Sequence, residues 1–156
     1  MITENEKVLN EYFESLEILN EENDESEANK QYIRIVKHML KYKYEPSKQG
    51  SSWFDSISNA NIRLNKIYKR SKGVITRLKN NIEELNICYT KAVDQAVNES
   101  EGRMKHNDFP NDLKSAGVEF TLDFVMNRSS VKMFLNKYFD NNNEMVDRNR
   151  IKLNNF

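Results

Sequence analysis

Glycine, proline and cysteine are scarce in this 156-residue chain, which contains four, two and one of them. A β-rich or dinucleotide-binding fold needs more glycine and proline at its turns, so their scarcity favours an all-α fold. The single cysteine, Cys88, excludes an intramolecular disulfide and a cysteine-based zinc site, and it indicates a reducing, cytoplasmic location. No apolar run approaches the roughly 18 residues of a membrane span, so we expect no membrane association.

Motifs that carry catalysis are equally scarce. The four glycines form no phosphate-binding loop, and the two histidines, His38 and His106, belong to no metal-ligand pair. Cys88 falls in the middle of the most regular helical pattern, where a half-buried thiol is the ordinary outcome. The sequence therefore predicts a non-enzymatic protein with no metal and no cofactor. An enzyme that uses His38 and Tyr44 on a small substrate is the least supported alternative.

Charged residues are abundant, and they are arranged in blocks. Lysine and arginine together number 24, as do aspartate and glutamate, so the formal net charge is zero. Residues 1–29 hold ten acidic side chains against one lysine, whereas residues 30–80 hold thirteen basic side chains against two acidic ones. This asymmetry indicates either pairing between the two segments or two surfaces of opposite sign.

Apolar residues recur at helical spacing along most of the chain. The capping box formed by Thr3 and Glu6 predicts a first helix over 4–20, followed by a solvated acidic link over 21–26. A second helix is expected to start at Ser26 and to stop before Pro46, because the residue ahead of a proline avoids the α region.

Four more helices are expected beyond the proline. The third begins at Ser51 or Ser52, and its predicted buried face consists of Trp53, Ile57, Ala60, Leu64 and Ile67. The fourth has the clearest pattern, over 75–96; residues 100–116 form a loop, and shorter helices cover 118–127 and 130–139. The asparagine-rich tail over 141–156 is predicted to be frayed.

The predicted organisation is a single-domain bundle of five to six helices. It comprises an acidic N-terminal helix or arm over 1–25, a helical core over 26–128, and a C-terminal helix with its tail over 129–156. A chain of this length buries roughly two thirds of its unfolded surface, so its core needs no metal or disulfide.

A set of basic residues is the main functional signal, and we predict that it binds the partner: Lys37, Lys41, Lys48, Arg63, Lys66, Lys69, Arg70, Lys72 and Arg77. Such a stripe fits a phosphate backbone, and binding would then weaken strongly as salt rises. Pairing with the acidic first helix explains the same residues without any partner.

Residues 38–57 concentrate the rare residue types of the chain in one corner between two helices. Its motif consists of His38, Tyr42, Tyr44, Pro46, Ser52, Trp53 and Ile57. In the structural interpretation, the two tyrosines and Trp53 cover one another and lock the corner, and His38 bonds across to a backbone group. In the functional interpretation, His38, Tyr44 and Trp53 line a ligand pocket.

The same corner resembles the bacterial and cyanobacterial family called "domain of unknown function 29". Members typically read HLLKWQYQP, then a basic stretch, then SWxxTI, and this chain reads HMLKYKYEP over 38–46 and SWFDSI over 52–57. The family's usual Gln-Arg pair falls here on Ala60 and Asn61. The resemblance covers about 26–126 and implies an all-helical fold and no established activity. Later positions also agree: Tyr89, Ala92, Ala96, Glu99, Ser100, Phe109 and Pro110.

These observations predict a small helical binding protein that acts through charged surfaces on a macromolecular partner, either a nucleic acid or a nucleoprotein complex. The alternative is a phage or mobile-element effector that inhibits a host nucleoprotein machine, such as a defence nuclease. It would act by protein binding or by mimicking nucleic acid with its acidic arm. A homodimer built on the fourth helix is left open.

Overall fold

The computed structural model describes residues 3–45, 50–139 and 146–156. Within these ranges the fold is all-α, as predicted, and it contains no strand. The helices are α1 (Glu4–Tyr44), α2 (Ser51–Arg70), α3 (Lys72–Asn80), α4 (Ile82–Glu99), α5 (Leu113–Ala116), α6 (Leu122–Met126), α7 (Arg128–Lys137) and α8 (Val146–Asn154). Two short 3₁₀ helices, His106–Asp108 and Val118–Phe120, lie among the last of them.

Helix α1 is a single 41-residue helix. It begins at the predicted capping box, in which Thr3 and Glu6 exchange side-chain to backbone hydrogen bonds. It ends at Tyr44, ahead of Pro46 as predicted. The predicted link over 21–26 was wrong, because that segment contains no glycine or proline to end a helix, and its Asp24 is held by tertiary bonds.

The core forms where α1, α2 and α4 pack together. The buried side of α1 consists of Ala28, Tyr32, Ile35, Val36, Met39, Leu40 and Tyr42. Helix α4 contributes the buried small residues Ala92 and Ala96, which let a neighbouring backbone approach closely. The hydroxyl of Tyr32 donates to the carbonyl of Phe120 at 2.5 Å, which ties the segment after α5 onto α1.

The predicted fourth helix is divided in two at Asn81. Its side chain accepts a hydrogen bond from the Glu84 amide at 3.1 Å and so caps the start of α4. Ile82 fits the helical pattern but is exposed. The other break lies at Ser71, between α2 and α3, and Gly73 sits inside α3.

The last third of the chain is more ordered than expected. The predicted loop over 100–116 contains a 3₁₀ helix and α5, whereas the helix predicted over 118–127 is a 3₁₀ helix followed by α6. Helix α7 (Arg128–Lys137) lies two residues earlier than its predicted range of 130–139. The frayed tail was wrong for residues 146–154, which form α8, because Leu153 is buried and Lys152 pairs with Asp55 of α2 at 2.6 Å.

The corner between α1 and α2 is closed by Phe54, which the prediction overlooked in favour of Trp53. Phe54 is buried and meets the buried ring of Tyr42 edge-on, with 5.5 Å between ring centroids. Trp53 is half-buried at the margin of the core. The predicted caps were wrong too, since Gly50 precedes α2 and Ser51 and Ser52 are its first two residues.

We expect the alanine variant of Phe54 to lose about 3–5 kcal/mol of unfolding free energy, because it empties a filled site in the core. Trp53→Ala, at the neighbouring position, should cost clearly less because its ring is only half-buried. Denaturant unfolding followed by circular dichroism measures both. An equal or larger loss for Trp53→Ala would contradict this account of the corner.

Candidate functional site

The first half of α1 carries apolar side chains that no described part of the bundle covers. We call residues 4–20 the N-terminal arm. Five of its side chains are each more than half exposed and form its apolar stripe: Val8, Leu9, Tyr12, Phe13 and Leu19. Their spacing places them on one side of the helix. The sequence prediction correctly found this periodicity, but periodicity does not tell whether the bundle covers the stripe.

The opposite side of the arm is acidic. Glu11 and Glu14 are exposed there together with Lys7, and Glu4 borders the apolar stripe one turn before Val8. The arm is about 25 Å long at the usual helical rise. It therefore presents an amphipathic helix whose apolar side faces solvent and whose polar side is negatively charged, an unusual surface for a chain that acts alone.

A carboxylate clamp holds α1 to α2 and α3 just beyond the arm. Asp24 is nearly buried and accepts hydrogen bonds from Arg70 at 2.7 Å and from the Ser71 hydroxyl at 2.5 Å. These bonds to Arg70 and Ser71 hold the pKa of Asp24 below its ordinary value. One turn before Asp24 on α1, the carboxylate of Glu21 lies 3.8 Å from the guanidinium of Arg77. Part of the acidic block is therefore paired with part of the basic block.

Much of the predicted basic stripe is neutralised inside the protein. Lys37 and Lys41 both pair with Glu99 of α4, Arg70 pairs with Asp24, and Arg77 pairs with Glu21. The Lys72 ammonium lies 5.7 Å from the centre of the Tyr68 ring. Lys48 lies outside the described residues. Lys37, Lys41, Arg70 and Arg77 therefore have internal counter-charges, whereas Lys72 has only the ring contact.

Besides Lys72, three residues of the stripe have no ion-pair partner within the described ranges. Arg63, Lys66 and Lys69 are exposed on α2 and make no ion pair there, and we call them the basic row. A groove of about 620 Å³ adjoins the row. Lys66 and Lys69 line it from α2, Arg128 lines it from the start of α7, and no carboxylate lines it.

Arg128 was not among the predicted site residues. It donates to the Ser58 hydroxyl at 3.0 Å, and its guanidinium stacks 4.1 Å from the centre of the Phe156 ring. The sequence holds only a weak signal for it, namely an arginine directly after Asn127, which caps α7. The proximity of Arg128 to α2 depends on the tertiary fold, because Arg128 and Ser58 lie 70 positions apart in the sequence.

The corner residues are placed apart from one another. His38 lines a groove between α1 and α4 whose lining includes neither Tyr44 nor Trp53. Tyr44 packs on Phe109 with 5.7 Å between centroids, and Trp53 lies beside the Lys41 ammonium. The groove that His38 lines is therefore not formed by the predicted set of His38, Tyr44 and Trp53.

His38 bonds within its own helix instead of across the corner. Its Nδ1 lies 2.9 Å from the carbonyl of Arg34, which can only accept, so Nδ1 carries the proton. Burial, chiefly, lowers the pKa of His38 to about 4. The ring is therefore neutral near pH 7, and its Nε2 is a hydrogen-bond acceptor.

Two features are absent from the described part of the chain. No three His, Cys, Asp or Glu side chains lie close enough together there to hold a metal ion. None of the described helices combines the length and apolar character that crossing a membrane requires.

Comparison with known proteins gives one match. A family model described as "Domain of unknown function DUF29" matches residues 8–128. No curated protein and no solved structure matches the chain. The match begins inside the N-terminal arm and ends at Arg128, so it includes the apolar stripe as well as the basic row.

The Asp24 clamp predicts a dependence of stability on acid. Folding lowers the pKa of the Asp24 carboxyl, so its ionised form stabilises the fold at pH values above its ordinary pKa of 3.8. That stabilisation is lost as the pH falls through the pKa of Asp24 in the folded protein. We expect Asp24→Asn to be less stable than the wild type at neutral pH and to lose less stability below pH 3.8.

Urea unfolding at a series of pH values measures this difference. Glu22→Gln serves as the control, since Glu22 is an exposed acid on the same helix without an ion pair among the described residues. It should keep the wild-type curve. Parallel curves for Asp24→Asn and the wild type would show that the ionisation of Asp24 contributes nothing to stability.

Proposed function

Because this chain belongs to the DUF29 family, whose description assigns no activity, we propose its function from its surfaces: it is a binding protein whose N-terminal arm docks onto a partner protein. The observation that carries the proposal is the apolar stripe, with Tyr12 and Phe13 at its centre. Fully burying such side chains is worth about 1.5–3 kcal/mol each. Amphipathic helices commonly bind by laying an apolar face into a groove.

The charge of the arm specifies the partner surface. Glu4, Glu6, Glu11 and Glu14 outnumber Lys7, so a partner gains from lysine and arginine at the edge of an apolar groove. The complementary groove on the partner would be about as long as the arm. An effector that inhibits a host nucleoprotein machine is one form of this proposal, with that machine as the partner.

The stiffness of the arm supports the same function. The arm continues without a break into the buried half of α1, and the Asp24 clamp fixes the junction. A helix that is already formed gives up less conformational entropy on binding than a segment that folds on its partner. No catalytic step is needed for this function, and a cytoplasmic location is part of the proposal.

Site-specific photocrosslinking in cells that naturally express the protein tests the proposal. A crosslinking amino acid replaces Leu9 or Phe13 in the apolar stripe, or Asn10 on the other side of the arm as the matched control. We expect one protein to crosslink from the two stripe positions and not from Asn10. The absence of any crosslink from the stripe, or the same products from all three positions, would contradict the proposal.

The crosslinked protein is then purified for calorimetry. We expect Leu9→Asp and Phe13→Asp each to weaken its binding at least about tenfold, which is about 1.4 kcal/mol. The unfolding midpoint should stay the same, because both side chains are exposed. Crosslinking to a second copy of the chain would instead identify the stripe as a homodimer interface.

The basic row favours a second candidate function, which is binding to nucleic acid. Arg63, Lys66 and Lys69 form no ion pair among the described residues, although Glu27 lines a smaller groove together with Arg63 and Lys66, and the larger adjoining groove adds Arg128. A row of exposed cations beside a groove without carboxylates suits a phosphate backbone. This candidate uses a different helix from the arm, so the two functions can be tested separately.

Salt dependence tests the second candidate. If the three residues of the row each contact a phosphate, affinity for a DNA or RNA duplex should fall roughly 40-fold between about 50 mM and about 200 mM salt. Fluorescence anisotropy measures it. Replacing all three by glutamine should abolish both the binding and its salt dependence.

A charge-matched variant provides the control for that experiment. It replaces Lys7, Lys105 and Lys114, which are exposed and scattered over the chain, by glutamine. It should bind like the wild type. Equal losses in the two variants, or no binding at the lower salt concentration, would exclude the row as a nucleic-acid site.

A further inference from the structure

A groove of about 490 Å³ lies between α1 and α4. Four of its lining side chains are cations, namely Lys30, Arg34 and Lys37 from α1 and Lys91 from α4, and no carboxylate lines it. The three on α1 follow one another at a helical turn, which brings them to the same side of the helix. The volume falls within the roughly 300–1,000 Å³ of small-molecule sites.

The positive charge of this groove is largely uncompensated. Lys37 pairs with Glu99 at 3.0 Å. Lys30, Arg34 and Lys91 have no ion-pair partner in the described part of the chain. By contrast, Arg103, which lies elsewhere on the bundle, pairs with the buried carboxylate of Glu45. Cations along one groove raise its electrostatic potential, so an anion that enters the groove is stabilised there.

The groove also provides hydrogen-bond acceptors. Asn29 lines it and donates its amide Nδ2 to Glu84 at 3.1 Å, whereas its buried Oδ1 has no hydrogen-bond partner. His38 lines it as well, and its Nε2 is an acceptor because its Nδ1 donates to the Arg34 carbonyl. A ligand that fits this groove therefore combines negative charge with hydrogen-bond donors.

We propose that the groove between α1 and α4 binds a phosphorylated small molecule that carries hydroxyl groups, such as a sugar phosphate. Arg34 and Lys91, from opposite walls, contact the phosphate, and Lys30 adds charge. A hydroxyl of the ligand donates to His38 Nε2. Arginine suits this role because its planar group binds two phosphate oxygens at once. The proposal is independent of the arm and of the basic row.

The site is tested by titrating the full chain with ribose 5-phosphate, inorganic phosphate and ribose, followed by amide NMR shifts. We expect saturable binding of ribose 5-phosphate, weaker binding of inorganic phosphate, and none of ribose. The shifted amides should cluster on α1 around Arg34 and on α4 around Lys91. Absence of saturable binding of ribose 5-phosphate up to about 10 mM would overturn the proposal.

Variants separate a defined site from diffuse attraction. Lys30→Gln with Lys91→Gln, both exposed positions, should weaken ribose 5-phosphate binding at least about tenfold. Lys105→Gln with Lys114→Gln removes the same charge at two exposed positions outside the groove and should leave binding unchanged. Equal weakening in both double variants would overturn the proposal, because it would show that the groove itself does not select the ligand.

The role of His38 has its own readout. His38→Phe should weaken binding of ribose 5-phosphate at least about threefold and leave inorganic phosphate binding unchanged, because only the sugar donates a hydroxyl to Nε2. The NMR spectrum of the variant reports whether it is folded. Should that variant unfold, His38→Leu replaces it, with the same expected loss, because leucine also has no acceptor. Unchanged ribose 5-phosphate binding in a folded variant would exclude the hydroxyl contact.

Discussion

The packing of α1 over residues 28–42 between α2 and α4 is the interaction on which the rest of the fold depends. This part of α1 is buried by two long helices, and it also receives the segments that follow them. Tyr32 holds the backbone at Phe120, and the ring of Tyr42 meets Phe54 from α2 and Phe134 from α7. Since one helix supplies the common surface, its first half is left to extend past the bundle.

The sequence was sufficient to predict the all-α class, the start and end of α1, and much of the buried face of α2. It was insufficient where a tertiary contact decided the outcome. Asp24 stays helical because Arg70 and Ser71 bind it, and no pattern around residue 24 reports those partners. Phe54 and Trp53 are neighbours about 100° apart on a helix. The spacing from Ile57 favoured Trp53, but the fold buries Phe54 fully and Trp53 only partly.

For the candidate sites, too, the sequence predicted one part and the tertiary contacts decided the rest. Residue types and spacing identified basic positions, but only the fold separates those with an internal carboxylate, such as Lys37, from exposed ones such as Lys66. The charge blocks therefore have two roles: one part binds the bundle together, and the remainder lies on surfaces open to solvent. The apolar stripe shows the converse, because a regular pattern that normally marks a core here lies outside it.

The order of the elements has a consequence for synthesis on the ribosome. The hydroxyl of Tyr32 bonds to a backbone group 88 residues further along the chain, and Tyr42 meets Phe134 later still. Because translation proceeds from the N-terminus, the longest helix emerges first and its last covering segment emerges near the end. The nascent chain therefore exposes the future core side of α1 during most of its elongation, and closure of the bundle is a late event.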